Sequence, residues 1–307
     1  MRVAITGATG LIGRALTESL LRDGHAVTRL TRAPERPGDV LFDPSRRLLD
    51  PAAFRGVDAV VHLAGEPIAQ RWNDAVQRRI RESRVQGTRL VAESIASLEE
   101  RPAVLVSGSA VGYYGDRGDE VLTEDSAPGD GFLAEVTVAW EGAAEAARDA
   151  GVRVVHPRMG VVLSERGGAL ERMLLPFRLG LGGRVGDGRQ WLSWISLDDA
   201  VGALRHAIDV PSLDGPVNVV GPAPVTNAAF TEALGRALHR PTLFPIPKFA
   251  LRAVFTEMAD ATLIASQRAM PQALVASGFR FAHADIDAAL RAAQQRRAEA
   301  LRRLGVL

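Results

Sequence analysis

The stretch Thr6-Gly7-Ala8-Thr9-Gly10-Leu11-Ile12-Gly13 decides the fold of this chain, because it joins an apolar strand pattern to an amphipathic helix pattern. The spacing is G-x-x-G-x-x-G, and between strand and helix such a motif is typical of a Rossmann unit. The first glycine permits a tight turn, the second leaves room for a pyrophosphate, and the third lets the helix pack on the sheet. Free N–H groups at the helix start attract phosphate. The residues predicted to hold a dinucleotide here are Gly7, Thr9, Gly10, Leu11, Ile12 and Gly13.

Strand and helix patterns alternate on both sides of this loop. Each predicted strand is a near-continuous apolar run, which indicates a parallel sheet covered by helices on both faces. The predicted strands are Arg2–Thr6, His25–Thr31, Asp58–Ala64, Ala103–Ser107 and Val152–Pro157, and the predicted helices are Leu11–Arg22, Trp72–Ala96 and Phe132–Ala150. The fold class that follows is α/β, a Rossmann doubly wound parallel sheet with a smaller, mostly helical C-terminal domain on the substrate side.

The character of the chain changes after Arg158, where glycines crowd residues 167–188 and prolines then precede a helical tail. This looks like substrate-side structure added to the Rossmann unit. The expected division is a dinucleotide-binding domain over 1–165, to which 196–221 returns, and a substrate-side domain over 166–195 and 222–307.

Composition excludes several classes of protein. The chain has 307 residues, a formal net charge of +1 and no cysteine. Without cysteine there is no thiolate nucleophile, disulfide or cysteine-based zinc site, and the histidines are too scattered to suggest another metal site. The near-zero net charge argues against a nucleic-acid partner. No apolar run approaches the roughly 20 residues of a membrane span, so we expect no membrane partner and a cytoplasmic location.

The cofactor preference depends on the end of the second predicted strand, Leu30-Thr31-Arg32. An NAD enzyme usually places an acidic residue here to accept the ribose 2′-hydroxyl. This chain instead has Arg32, with Thr31 as a second donor and Arg36 nearby. A guanidinium suits a 2′-phosphate and gives nothing comparable to a bare hydroxyl. The sequence therefore favours NADP(H), and a solvated surface arginine is the alternative in so arginine-rich a chain.

Further motifs occur in the order of a known superfamily. With the glycine loop, DAVVHLAG at 58–65 and SGSAVGYYG at 107–115, the chain resembles the extended short-chain dehydrogenases/reductases. More narrowly, it is similar over essentially its whole length to their atypical branch of the NAD-dependent epimerase/dehydratase type. The motifs that carry this resemblance are GEPI (65–68), RW (71–72), ESR (82–84), WE (140–141), LPFRLGLGG (175–183), WLSWISLDD (191–199) and MPQALVASGFRF (270–281), the last resembling that branch's small C-terminal domain.

The resemblance implies further cofactor contacts. Leu63–Gly65 would pass beneath the adenosine and pyrophosphate, and Gly160–Val162 would lie near the nicotinamide. Arg84 would reach toward the phosphates, with pairing to a surface acid as its alternative role. The additional cofactor-binding residues so implied are Leu63, Ala64, Gly65, Glu66, Arg84, Ser107 and Val162. The superfamily also implies a homodimer through the helices predicted at 72–96 and 132–150.

The usual catalytic pair of the superfamily is missing. Most members carry Tyr-x-x-x-Lys on the helix predicted here as the third, and the lysine lowers the tyrosine pKa so that the phenolate exchanges a proton during hydride transfer. Anchored on Glu141, that pattern places Leu133 and Thr137 at the two positions, and neither can do this chemistry. The sequence Tyr113-x-x-x-Arg117 has the matching spacing but lies among glycines, so we interpret it as accidental.

The remaining catalytic candidates follow the strand that ends at Ser107. Ser109 stands four residues before Tyr113, as the catalytic serine stands before its YG motif in sugar-nucleotide epimerases. We predict that Ser109 hydrogen-bonds a substrate carbonyl or alcohol. We predict that Tyr113 is the acid, because a phenol without a lysine donates a proton well but is a weak base near neutral pH. Glu135 and Glu141 are alternatives, although a helix of this composition places most carboxylates in water.

Two functions stay open from the sequence. The first is an NADP(H)-dependent oxidoreductase or epimerase acting on a small alcohol or carbonyl, such as a sugar derivative. The second is an NADP(H)-binding sensor or regulatory protein without chemistry, which the missing Tyr/Lys pair keeps open. Asp198 and Asp199 belong to neither, because aspartate at this place is expected to cap a helix.

Overall fold

The computed structural model describes residues 1–303, and side chains through residue 295, so the end of the expected 222–307 segment lies outside the described residues. The strands are β1 (Arg2–Thr6), β2 (Ala26–Thr31), β3 (Val40–Leu41), β4 (Ala59–His62), β5 (Val104–Ser107), β6 (Ser109–Ala110), β7 (Val121–Leu122), β8 (Arg153–Met159), β9 (Val161–Leu163), β10 (Trp191–Leu192), β11 (Trp194–Ser196), β12 (Gly215–Val219), β13 (Val225–Thr226) and β14 (Arg268–Ala269). The helices are α1 (Leu11–Arg22), α2 (Asp74–Ala96), α3 (Phe132–Gly142), α4 (Glu145–Asp149), α5 (Gly168–Arg178), α6 (Leu197–Asp209), α7 (Asn227–Leu238), α8 (Lys248–Phe255), α9 (Gln272–Ala276) and α10 (Ile286–Arg303). Short 3₁₀ turns span Pro44–Arg46, Pro51–Phe54 and Val111–Tyr114, and a π-helical turn spans Ala259–Ile264.

A parallel sheet forms the centre of the molecule. Its strand order is β12-β8-β5-β4-β1-β2-β3, and every pairing along this path is parallel. The chain runs outward from β1 to β3 and then returns across β1 to continue through β4, β5, β8 and β12. In doubly wound sheets a ligand binds at this reversal, at the carboxyl ends of the strands. The predicted α/β doubly wound fold is confirmed.

Helices cover both faces of the sheet, which explains the apolar strand runs. On β4, Val61 packs in the core cluster that contains Leu16 of α1 and Leu204 of α6. The preceding Val60 packs in the opposite cluster, with Ile95 of α2. Because successive strand side chains point to opposite faces, a strand covered on both faces is apolar at each position.

The structure confirms most of the predicted elements, although several of their ends shift by one or two residues. The bounds of β1 and α1 are the predicted ones. The single helix predicted over 132–150 is wrong: α3 ends at Gly142 and α4 begins at Glu145, since glycine is a poor helix former. The predicted start of α2 at Trp72 is also wrong, because the Asn73 side chain caps the helix one residue later.

Residues beyond β8 add a second group of contacts. Strand β9 pairs with β11, and α5, α7 and α10 enclose an apolar cluster that includes Leu174, Phe230 and Leu290. Within residues 196–221, α6 packs on the central sheet and β12 extends that sheet beside β8. The division into two domains at the expected boundaries stays a prediction.

A buried carboxylate ties the C-terminal segment to the start of α6. Asp199 is 3% exposed and accepts hydrogen bonds from the N–H groups of Ala282 and His283, at 2.6 and 3.1 Å. Ser196 Oγ donates to the same carboxylate at 2.8 Å. The helix begins near the predicted place, but Ser196 rather than an aspartate is its N-cap. The serine takes the capping position, which leaves Asp199 to hold the C-terminal backbone.

Removal of this carboxylate should destabilise the protein. We expect Asp199→Ala to lower the free energy of unfolding by about 2–4 kcal/mol, because it leaves buried N–H donors without an acceptor. Denaturant titration followed by circular dichroism measures the loss. The matched control is Asp209→Ala at the exposed end of the same helix, where a change within about 0.5 kcal/mol is expected. Equal stability of the two variants would contradict the role given to Asp199.

Candidate functional site

The three glycines of the loop after β1 are required for different structural reasons. Gly7 has φ +70°, and a Cβ atom there would lie 2.8 Å from the backbone nitrogen of Ala64. A Cβ atom on Gly13 would overlap the carbonyl oxygen of Gly7, so α1 could not approach the strand. Gly10 is exposed, and a Cβ atom there would meet the Gly7 carbonyl oxygen at 3.3 Å and, apart from its own chain neighbours, no other described residue within 4 Å. Its outer side is therefore open to a ligand that passes close to the backbone.

The start of α1 adds donors to this loop. Gly10 is the N-cap and supplies no side-chain hydrogen bond, so the first N–H groups of the helix have no partner within it. Thr9 is exposed beside them, while Leu11 and Ile12 pack against the core below. Unpaired N–H groups and the positive end of the helix dipole attract an anion. The geometry of residues 7–13 therefore fits the phosphates of a dinucleotide.

A buried pair beneath this loop was not found from the sequence. Thr6 Oγ1 accepts hydrogen bonds from the N–H groups of Leu63 and Ala64, at 3.1 and 3.2 Å. It also lies 2.7 Å from His62 Nδ1. Burial lowers the pKa of His62 to about 4, so the imidazole is neutral at physiological pH. Thr6 thus fixes the backbone that the family resemblance places under the cofactor. The sequence signal for this pair was that a polar residue, Thr6 or His62, ends each of two otherwise apolar strands.

Arg84 lies inside the turn that follows β4. Its Nη1 donates to the carbonyl oxygens of Glu66 and Ile80 at 3.0 and 3.1 Å, and its guanidinium carbon is 5.0 Å from the Trp140 ring centroid. Its hydrogen bonds within the described residues therefore go to backbone rather than to a surface acid. Burial lowers its pKa to about 10, which leaves it charged at neutral pH. The Glu66 carboxylate accepts from Gln70 Nε2 at 3.2 Å. Cofactor contacts of Glu66 and Arg84 stay predictions.

The end of β2 presents an unpaired arginine. Arg32 is exposed and makes no ion pair within the described part of the chain. Thr31 Oγ1 accepts from the N–H group of Ala33 at 3.3 Å. The carboxylate of Asp39, further along the same loop, is bound by Arg29 through hydrogen bonds of 2.6 to 2.9 Å. The strand end therefore offers a free cation and a hydroxyl group.

The two positions of the missing catalytic pair hold a half-buried leucine and a buried threonine. Leu133 packs against the cluster that contains Trp72 and Met258, and a Cβ atom on Gly112 would lie 3.3 Å from its Cβ. Thr137 is 3% exposed, and its hydroxyl donates to the Leu133 carbonyl oxygen at 2.7 Å. Neither residue offers a titratable group to a substrate.

Ser109 is bound to a buried ion pair. Its hydroxyl donates to Glu141 Oε1 at 2.6 Å, and Arg158 holds both Glu141 oxygens, through Nε at 2.9 Å and Nη2 at 3.0 Å. The Arg158 side chain is 3% exposed and that of Glu141 is 14% exposed. The expectation that carboxylates of this helix lie in water holds for the exposed Glu135 but is wrong for Glu141, because Arg158 on β8 pairs with it inside. The sequence reasoning missed Arg158 altogether.

Arg158 also fixes the two tyrosines. Its guanidinium carbon lies 3.4 Å from the Tyr113 ring centroid, a stacked cation–π contact. The Tyr114 hydroxyl donates to Asn218 Oδ1 at 2.7 Å and accepts from Arg158 Nη1 at 3.1 Å. Burial raises the pKa of Tyr114, against the opposing effect of Arg158, so this phenol stays protonated. Tyr113 is half-buried, and its hydroxyl has no hydrogen-bond partner among the described residues.

Ser107 ends β5, whereas Val162 lies on β9, which pairs with β11 outside the central sheet. The Ser107 hydroxyl is buried and has no hydrogen-bond partner among the described residues. A ligand atom at this strand end would satisfy it, as buried polar groups require. Val162 is half-buried on β9 and packs against the core. The structure thus brings Ser107, Ser109 and Tyr113 to the ends of β5 and β6, and the glycine loop and Arg32 to the ends of β1 and β2.

Together, the fold and these strand ends define a class of protein. A glycine loop at the reversal of a parallel sheet, with a cation after β2 and a hydroxyl-bearing cluster after β5, is the arrangement of a dinucleotide-binding protein of the extended short-chain dehydrogenase type. No helix among the described residues is long and apolar enough to cross a membrane. Within the same residues, no group of three or more His, Asp and Glu side chains is placed to hold a metal ion.

Comparison with known proteins gives the family. The model of the NAD dependent epimerase/dehydratase family matches residues 3–221, and a domain of unknown function, DUF1731, matches residues 246–293. The chain belongs to the NAD dependent epimerase/dehydratase family. The resemblance found in the sequence is confirmed, including the separate C-terminal segment.

Individual relatives support this assignment. Epimerase family protein Mb2239 of Mycobacterium bovis is 49% identical over 290 residues, which cover 94% of this chain and 96% of that protein. The crystal structure of human epimerase family protein SDR39U1 with NADPH is 38% identical with a TM-score of 0.89, over 96% of this chain and 99% of that one. A nucleoside-diphosphate sugar epimerase from Corynebacterium glutamicum is 40% identical with a TM-score of 0.79, over 98% of this chain and 61% of that one.

The buried ion pair leads to a stability prediction. We expect Glu141→Ala to lower the free energy of unfolding by about 3–5 kcal/mol, because it leaves the Arg158 guanidinium buried without a counter-charge. Glu135→Ala, six residues earlier on the same helix, is the control and should change the free energy of unfolding by no more than about 0.5 kcal/mol. Chemical denaturation of both variants provides the comparison. A loss at Glu141 no greater than at Glu135 would show that the pair is not needed for folding.

Proposed function

We propose that this chain binds NADP(H) and transfers hydride between the nicotinamide and a small alcohol or carbonyl compound, as an oxidoreductase or epimerase. The observation that carries the proposal is the Tyr113 hydroxyl, which is free of partners within the described residues while its ring is fixed on Arg158. Hydride transfer to or from a carbonyl carbon needs a group that exchanges a proton with the oxygen. Tyr113 is such a group, next to the strand end where the family resemblance expects the nicotinamide.

The choice of NADP(H) rests on the end of β2. Arg32 is exposed and unpaired within the described residues, where an NAD-specific protein needs a carboxylate. The crystal structure of the human relative contains NADPH. The open side of Gly10, the N–H groups of α1 and the unpartnered Ser107 hydroxyl fit the rest of the dinucleotide.

The side chains suggest separate roles in proton transfer. When bound, the nicotinamide supplies or accepts the hydride. Tyr113 donates a proton to the substrate oxygen in the reduction direction, and the stacked Arg158 holds its ring in one place. Ser109 directs its own proton to Glu141, so its oxygen offers a lone pair to a substrate hydroxyl. Ser109 is therefore better suited to bind an alcohol than a carbonyl oxygen.

A silent NADP(H)-binding sensor is the second candidate. The apolar Leu133 and the backbone-bonded Thr137 favour it, because they occupy the positions of the superfamily's base and its activating lysine. The two functions differ in a simple assay. Oxidation of NADPH by members of a carbonyl panel supports the enzyme, whereas nucleotide-dependent binding of a partner without turnover supports the sensor.

Cofactor discrimination provides the first test of the enzyme proposal. We expect Arg32→Ala to weaken NADPH binding by about 1.5–3 kcal/mol, the scale of a charge-assisted hydrogen bond, and to leave NADH binding unchanged. Fluorescence titration with both nucleotides measures it. Arg22→Ala, which removes the same charge at the exposed far end of α1, is the control. Equal losses for the two nucleotides would remove the basis for NADP(H) preference.

Proton transfer provides the second test. Tyr113→Phe should lower turnover by about 10²-fold or more with NADPH affinity unchanged, and Ser109→Ala should lower the turnover of the alcohol, whose hydroxyl the Ser109 oxygen accepts from. Steady-state rates in both directions give the result. Full activity of Tyr113→Phe would show that another group is the proton donor. A wild type that turns over no member of the carbonyl panel would favour the sensor.

A further inference from the structure

The loop between β2 and β3 is organised by one nearly buried carboxylate. Asp39 has a side chain that is 4% exposed, and it receives three short hydrogen bonds from Arg29, of 2.6 to 2.9 Å. Its Oδ2 also accepts from the backbone N–H groups of Glu35 and Arg36, at 3.1 and 3.0 Å. The Asp39 N–H group donates back to the Arg36 carbonyl oxygen at 3.0 Å. These contacts, which we call the Asp39 clamp, tie the loop backbone at Glu35 and Arg36 to Arg29 on β2.

The clamp also decides which charges of the loop are free. Arg29 is neutralised by Asp39, while Arg32 and Arg36 are exposed and make no ion pair within the described residues. Burial acts to raise the pKa of Asp39, but hydrogen bonds from Arg29 and the backbone lower it more, so its pKa lies below the usual range and it is ionised at neutral pH. Its oxygens are occupied, so Asp39 cannot accept a ribose hydroxyl as the acid of an NAD-specific protein does. Glu35 is exposed and is the other carboxylate of the loop.

We propose that the Asp39 clamp is a positioning device that presents Arg32 and Arg36 together as a two-armed site for the 2′-phosphate of NADP(H). This inference rests on the proposed cofactor. Two long side chains on an unfixed loop would lose conformational freedom on binding, whereas a backbone already fixed loses less. Asp39 therefore strengthens phosphate binding although its own charge is negative.

Because Asp39 is negatively charged, its removal distinguishes a positioning role from a simple effect of net charge. In Asp39→Asn the carboxylate is lost and the Arg29 guanidinium is freed, so a site that worked by total positive charge would bind NADPH more tightly. The clamp predicts the opposite, a Kd for NADPH raised by about tenfold, the scale of one lost charge-assisted hydrogen bond, with the Kd for NADH unchanged. The double variant Arg29→Gln/Asp39→Asn keeps the wild-type net charge and should show the same loss. Arg36→Ala should also weaken NADPH binding selectively.

The controls separate positioning from general damage and from failure of the cofactor proposal. Asp43→Asn, which alters the next loop carboxylate, bonded to Ser45, should leave both affinities unchanged. Unchanged NADH affinity shows that the variants are folded. Two results would contradict the positioning role of Asp39 while leaving the cofactor proposal intact. In the first, Arg32→Ala abolishes NADPH preference but the double variant retains wild-type affinity for NADPH. In the second, Asp39→Asn binds NADPH more tightly than the wild type. A wild type that does not prefer NADPH would overturn both.

Discussion

The Arg158 guanidinium is a buried charge at the end of a central strand, and the arrangement of the neighbouring elements follows from the need to satisfy it. It receives a counter-charge from Glu141 on α3, a phenol oxygen from Tyr114 and a stacked ring from Tyr113. Burial alone would lower its pKa, but the pairing with Glu141 raises it, so the group is charged at any working pH. A buried charge without its partner is costly, so α3 and the turn after β6 are held in register with β8.

The same interaction gives the candidate site its chemistry. Because Glu141 is held by Arg158, it can also fix the Ser109 hydroxyl, at 2.6 Å. Because Arg158 lies under the Tyr113 ring, the phenol is fixed without a hydrogen bond to its oxygen among the described residues. In most of the superfamily a tyrosine and a lysine on α3 do this work. Here α3 instead contributes the Glu141 carboxylate, which binds Ser109 and Arg158.

Much of the fold could be predicted because it depends on local and periodic features. The glycine loop and the apolar runs of the central strands are readable without tertiary information, and β1 and α1 have the predicted bounds. The break between α3 and α4 and the cap of α6 by Ser196 were missed or misplaced, since several residues were suitable. In such cases tertiary packing decides among equivalent local choices.

The candidate site was less predictable, since its contacts join residues far apart in the sequence. Nothing near Glu141 in the sequence shows that Arg158 on β8 lies beside it in the fold. The Glu141 carboxylate was therefore expected to lie in water. Thr6 and His62 are also far apart in the sequence, so their contact below the glycine loop was not predicted either. The residues carried over from family motifs stay predictions; a motif can nominate them because it reflects tertiary contacts that composition and periodicity do not.

We infer that the loop between β1 and α1 holds the dinucleotide. Titration of NADPH into the wild type and Gly10→Val tests this, with nucleotide fluorescence reporting binding and circular dichroism reporting the fold. We expect saturable binding by the wild type and none by the folded variant, because a side chain on the open side of Gly10 takes the space of the pyrophosphate. Undiminished NADPH binding by a folded Gly10→Val protein would contradict it.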